Sequence, residues 1–389
     1  MKHRLIIALI VSVFLSACDN TDKVLSSIPG GAAVATVASD FSSGSHAVIS
    51  ESEGDFQASN NLFPTASDIT LASGGAFFYR IERAFAGNNI TKFAYDNPQT
   101  VIWQYSVKDD PLEAVASNPT DIVVVNEQKA YVIRYGKTKV WIVNPSATTE
   151  ADFKIGELDL SAYSDVDGVP EMHGAEIVNG KLFITIQRLA NFSPTEIAYV
   201  AVFDVATDTE IDTNYPGDSL KGIPLEIKNM NNDMVYVASD NAIYIQGVGD
   251  FSSTIYSGGI ERIDVNTYAS TLVFDDGDQI IHPAGKVTSV AVVSATQAYF
   301  IGCADCFFGT GGNFEDYSLY SLNPTTGLIS QINVAELQNT VLNDLSLSPT
   351  GDLWISAASA TLHVMNTQTN TLIASVDTQL EPSQVVFGE

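Results

Sequence analysis

Basic residues are scarce: 18 Lys+Arg stand against 46 Asp+Glu in 389 residues, a formal net charge of −28. Such a surface repels a phosphate backbone over most of its area, which excludes DNA and RNA as partners. Cysteine is limited to three residues and histidine to five; the one closely spaced cysteine pair has no second pair to complete a zinc site. Beyond the N-terminal leader no stretch reaches 18 apolar residues, so no later segment is expected to span a bilayer. Phosphate-cradling glycine motifs and Ser-His-Asp signatures are lacking. Helix signals are nearly absent too, with only residues 111–116 and 334–338 reading as short helices. The chain is nevertheless 45% hydrophobic and only 16% charged, long enough to bury a large core and too apolar for disorder.

Residues 1–17 read as an address. Lys2, His3 and Arg4 form a positive n-region, and residues 5–15 are an apolar run too short for a permanent span. The run ends in Leu15-Ser16-Ala17-Cys18, which resembles the bacterial lipobox. The resemblance implies that the Cys18 thiol carries a diacylglyceryl group and becomes the N-terminus. The expected organisation is a signal peptide over residues 1–17, a tether over 18–31 and a single domain over 32–389. The expected location is the bacterial cell envelope, lipid-anchored and facing the periplasm. Asp19 resembles the inner-membrane retention signal of enterobacterial lipoproteins, but other bacteria read that position differently, so either membrane stays open. Acyl chains contribute roughly 0.8 kcal/mol per buried CH₂, enough together to hold a soluble domain. With Cys18 lipidated, Cys303 and Cys306 are an even pair in an oxidising compartment, which favours a disulfide over a redox or metal pair.

An internal repeat organises the remainder. Alternating apolar residues lead into an Asp or Asn, then a Thr-containing turn, then another alternating run. The repeat is seen at Phe93-Ala-Tyr-Asp96, Val140-Trp-Ile-Val-Asn144, Ala201-Val-Phe-Asp204, Glu261-Arg-Ile-Asp264, Tyr320-Ser-Leu-Asn323 and His363-Val-Met-Asn366. The spacings are 48, 60, 60, 59 and 43 residues, the size of a four-stranded propeller blade. Each hairpin is preceded by a further strand pair, such as Asp121-Ile-Val-Val-Val and Ala130-Tyr-Val-Ile-Arg134. Six units are complete. The C-terminal run from Pro382 has the form of an inner strand with nothing after it, and residues 32–57 supply strands that lack one. Joining them predicts an all-β, seven-bladed β-propeller closed between its N- and C-terminal strands, at about 53 residues per blade.

This pattern resembles the YVTN-repeat seven-bladed propellers, which share the fold of the quinoprotein amine dehydrogenase heavy chain. The signature is degraded here to Tyr131-Val-Ile-Arg134, Tyr236-Val-Ala-Ser239 and Phe183-Ile-Thr-Ile186, and fold alone does not fix function.

Propellers bind ligands where the inner strands converge, which directs attention to Asp68, Asp121, His173, Ser289, Asp344 and Gln384. Asp68, Asp121 and Asp344 offer the oxygen ligands that a hard cation such as Ca²⁺ prefers; turn capping is the competing reading. His173, in Pro170-Glu-Met-His-Gly174, has Glu171 as a possible acid/base partner or is simply structural. Arg80, Arg83, Arg134 and Arg188 fall near the ends of second strands in three consecutive blades. They would suit a carboxylate or phosphate ligand beside the channel, or else neutralise local carboxylates. Asp165-Val-Asp-Gly168 and Asp275-Asp-Gly-Asp278 are calcium-like in composition but lack the full twelve-residue loop. The functional expectation is a lipid-anchored binding or scaffold module for an envelope protein partner or a small anionic ligand. The alternative is a propeller enzyme, a metal-dependent hydrolase or lactonase or a dehydrogenase-like protein, that uses the channel-mouth carboxylates.

Overall fold

The computed structural model describes residues 31–388 apart from 53, 114–115, 191–192, 217–218 and 233. The leader and Cys18 lie outside the described residues, as does the tether up to residue 30.

Seven antiparallel sheets follow one another around a ring, six of them running from inner to outer strand in chain order. Blade 1 is the closure. Its inner strand, Glu381–Phe387, pairs with Ala32–Val37, so that Ala32 faces Phe387 and Ala35 faces Gln384; Gly44–Ser52 and Asp55–Ser59 complete it. Blades 2 to 7 begin with inner strands Ile69–Gly74, Pro119–Asn126, Met172–Val178, Val235–Val237, Lys286–Ser294 and Leu342–Leu347. Blade 4 carries an additional two-residue strand, Ile223–Pro224, on its third strand. The fold is thus a seven-bladed β-propeller. Helix is limited among the described residues to three single 3₁₀ turns. One of them, Ala335–Leu337, lies within the segment 334–338 that was expected to be helical; the described part of 111–116 is turn and loop.

The repeat signature is a turn. Asp204 Oδ1 accepts the backbone N–H groups of Ala206 and Thr207, and the Asp208 N–H returns to the Asp204 carbonyl. The same bonds form at Asp264, Asn323 and Asn366. The fifth residue of each turn has positive φ: Asp208, Tyr268, Gly327 and Asn370. A short acceptor side chain at the first position satisfies amides that the third-to-outer strand hairpin would otherwise leave open, which is why Asp and Asn recur there.

The core is divided among the blade interfaces. Seven apolar clusters among the described residues are each shared by two adjacent blades. Blades are covered on both faces, so central strands such as Ala32–Val37 are buried at every residue. At the closing interface Trp354 of blade 7 packs edge-on against Phe56 and Phe387 of blade 1, at 5.7 and 5.2 Å between ring centroids.

Candidate functional site at the mouth of the central channel

All inner strands start at the same end of the ring, and there they enclose a cup of about 190 Å³. Its wall takes a small polar side chain or imidazole from each blade: Ser383, Thr70, Thr120, His173, Asn232, Thr288 and Asn343. Arg83, Asp344 and Gln384 also line it. Deeper in the channel a second space of about 350 Å³ is bounded chiefly by apolar groups, among them Met234, Val290, Leu345, Val385 and Phe387, with Glu176 and Asp344 at its wall. The site is therefore a polar cup above an apolar shaft.

β-Bulges build the cup. In blade 3, Pro119 pairs with Arg134 and Asp121 with Ile133, which leaves Thr120 unpaired. Ser383, Thr288 and Asn343 are skipped in the same way in blades 1, 6 and 7. In blade 4 the skipped pair is His173 and Gly174, where the Gly174 N–H is taken by Thr185 Oγ1. A bulge re-aims one side chain without breaking the strand, and here it turns those five residues into the channel.

The residues that follow lock the blades together, Gln384 and Asp344 while also lining the cup. Gln384 Oε1 accepts the Leu71 N–H at 2.7 Å and the Thr70 hydroxyl at 2.5 Å. Asp121 Oδ2 accepts the Ala175 N–H at 3.0 Å, and Ser289 Oγ accepts the Leu345 N–H at 3.1 Å. Asp344 Oδ1 accepts from Ser289 Oγ at 2.9 Å and from Asn232 Nδ2 at 3.2 Å. Asp68 braces the loop after the second strand of blade 2, accepting the Phe85 N–H at 2.9 Å and lying 3.9 Å from Arg83. The three aspartates thus sit in three separate contacts.

The four arginines part company. Arg83 alone of them lines the cup, a third exposed. Arg80 is fully buried, pairs with Glu82 at 2.5 Å, donates to the Phe63 carbonyl and stacks 4.5 Å over the Phe63 ring. Arg134 is buried under Trp141 at 4.4 Å and paired with Asp109 at 2.5 Å. Arg188 holds a positive φ and sits 3.9 Å from Glu196.

Burial, reinforced by the Arg83 charge, pushes the His173 pKa down to about 3, so its imidazole is neutral at ordinary pH; its Nδ1 is buried without a hydrogen-bond partner. Two residues earlier, burial raises Glu171 to about 7 although the Leu189 N–H bonds its Oε2. Asp165, Asp167 and Glu171 offer carboxylate oxygens that all lie within 4.8 Å of one another. Cys303 and Cys306 form a disulfide at the base of a mouth-end loop, with Cα atoms 5.5 Å apart.

No family model matches the chain, and no curated protein matches it in sequence. Solved structures do share its architecture. One is a candidate 6-phosphogluconolactonase from Bacteroides fragilis: TM-score 0.59, 11% identity, covering 92% of this chain and 97% of that one. Another is apo AztD from Citrobacter koseri, with a TM-score of 0.51 and 12% identity over 91% and 97% of the two chains. A third is the dihydro-heme d1 dehydrogenase NirN in complex with DHE, at 0.52 and 11% over 92% and 75%. At such identities the likeness is one of fold, and the chemistry has to be argued from the cup itself.

Proposed function

We propose that this protein is a ligand-binding propeller, held at the cell envelope by lipid on Cys18, which takes a small anionic molecule in the channel-mouth cup. The observation that carries the reading is the lining: hydroxyls and amides surround the Arg83 guanidinium beside a neutral imidazole, and the one carboxylate in the wall, Asp344, already accepts hydrogen bonds from Ser289 and Asn232. A guanidinium meets a carboxylate or phosphate with directed hydrogen bonds, and the hydroxyls and amides of the ring supply further contacts. The apolar shaft beneath accommodates a hydrocarbon portion of the same ligand.

The test is a thermal-shift and calorimetric screen of organic carboxylates and phosphates against wild type and Arg83→Gln. Anions should raise the melting temperature of the wild type, with at least tenfold weaker binding to R83Q. Equal binding of neutral analogues, or an unchanged affinity of R83Q, overturns the assignment. For the anchor, Cys18→Ser should release the protein from membranes and abolish labelling by a fatty-acid precursor; retention of either refutes it.

One arrangement favours a second reading, a metal-dependent hydrolase. The Asp165, Asp167 and Glu171 carboxylates converge at the mouth end of the ring and have the oxygen chemistry that hard cations select. Divalent-cation-dependent lactone hydrolysis that Glu171→Gln abolishes would establish it, and no turnover with any cation would exclude it.

A further inference from the structure

Among the described residues, eight large apolar side chains are more than two-thirds exposed, and seven of them lie in loops at the mouth end of the ring. The densest part covers blades 5 and 6. Phe251, Phe308 and Phe314 form a triangle with ring centroids 5.2 to 6.1 Å apart, and Phe308 is 73% exposed. Ile255, Ile280 and Ile281 are exposed on the adjoining loops.

This surface is braced. The Phe308 N–H bonds the Phe251 carbonyl at 2.8 Å and ties the two loops together. The Cys303–Cys306 disulfide closes the start of one loop, and the Asn313 N–H returns to Asp305. Tyr256 and His282 stack at 4.7 Å and join the remaining loop to the first. An aromatic cluster held out to solvent in this way is available without reordering on binding, which lowers the cost of association.

Charge selects the occupant. Loops 248–258, 276–285 and 304–316 contain six carboxylates and neither lysine nor arginine, and the adjoining Lys286, which bonds the Ile255 carbonyl, is buried and presents no charge to solvent. Asp278, Asp305, Glu315 and Asp316 are exposed around the aromatic triangle and its neighbours. Such a rim repels the anionic headgroups of a bilayer and equally the same face of a second copy.

We propose that the mouth-end surface of blades 5 and 6 is a docking site for a polypeptide segment carrying both basic and apolar side chains. Aromatic anchors supply the buried contact and the carboxylate rim steers and selects the cation. The site is distinct from the cup and does not depend on Arg83.

The experiment measures fluorescence anisotropy of a synthetic Lys/Leu/Trp amphipathic peptide with the purified full chain, alongside a Glu/Leu/Trp peptide of the same pattern. The basic peptide should bind, with an affinity that falls as salt is raised, and the acidic one should not. Phe308→Ser/Phe314→Ser should weaken binding at least tenfold while leaving the melting temperature within a few degrees, and R83Q should bind as wild type. Equal binding of the basic peptide to the double serine variant overturns the proposal, as does its failure to bind wild type. Phe308-dependent binding to phosphatidylcholine/phosphatidylglycerol vesicles, or Phe308-dependent dimerisation in ultracentrifugation, would replace it with a membrane or self-association surface.

Discussion

Asp276 offers a sharp test of the energetics. It is fully buried in the turn that leads into blade 6, and neither carboxylate oxygen has a hydrogen-bond partner of normal geometry. The backbone approaches so closely that a Cβ on Gly258 would lie 3.0 Å from Asp276 Oδ2. Burial raises its pKa to about 7, against the downward pull of the Lys286 ammonium. An exposed aspartate titrates at about 3.9, and each pH unit of difference is worth about 1.36 kcal/mol. Below about pH 4 the carboxyl is protonated in folded and unfolded chains alike and costs nothing. Between pH 4 and 7 only the unfolded chain ionises, so stability is lost as pH rises; above 7 the loss levels off at up to ~4 kcal/mol. Asp276→Asn keeps the shape and removes the charge. Urea denaturation should find the variant close to wild type at pH 4 and more stable by ~2–4 kcal/mol at pH 8. His46 and His173, held by burial at about 4 and about 3, lose stability in the opposite direction as pH falls below about 6.5, but equally in both proteins, and cancel in the difference. A variant that is destabilised to the same extent at both pH values would show that the carboxylate is partnered, and the reasoning would fail.

Four further outcomes follow from the same contacts. Arg80→Ala strands the buried Glu82 charge and should cost ~3–5 kcal/mol in urea denaturation, with much of it recovered when Glu82→Gln is added. Removing residues 381–389 takes away the inner strand of blade 1 and leaves Ala32–Val37 with an open edge; size-exclusion chromatography should show aggregate in place of monomer. Cys303→Ala/Cys306→Ala releases a short loop closure and should lower stability by ~2 kcal/mol while weakening the amphipathic peptide. Because His173 stays neutral down to about pH 3, anion affinity at the cup should be flat from pH 5 to 8 by calorimetry; a steep rise towards pH 5 would mean that the imidazole takes up a proton on binding.

The legible part of this molecule was local. Alternation marked the strands because side chains point to opposite faces with period two, and the Asp/Asn turns marked the hairpins because short acceptors cap their own amides. Their spacing counted the blades, and the two orphan segments predicted the closing pair that Glu381–Phe387 and Ala32–Val37 make. Of the candidates for the channel mouth, His173, Asp344 and Gln384 line the cup, whereas Asp68, Asp121 and Ser289 do not. Asp121 and Ser289 miss it by one position, and the residues before Asp121, Ser289, Asp344 and Gln384, which are Thr120, Thr288, Asn343 and Ser383, reach the cup without a signal in the sequence, because a small hydroxyl or amide announces nothing. The cause is the bulge: one unpaired residue reverses the face of its neighbours, and its presence depends on the partner strand.

Composition and pattern by themselves determined an all-β repeat of seven units, closed end to end and strongly acidic, since these properties reside in each residue and its near neighbours. Only the tertiary structure decided which polar residues face the channel and which of four arginines reaches it. It alone gathered Phe251, Phe308 and Phe314 into one exposed triangle, because strand register, bulges and loop-to-loop contact join residues that the chain keeps far apart.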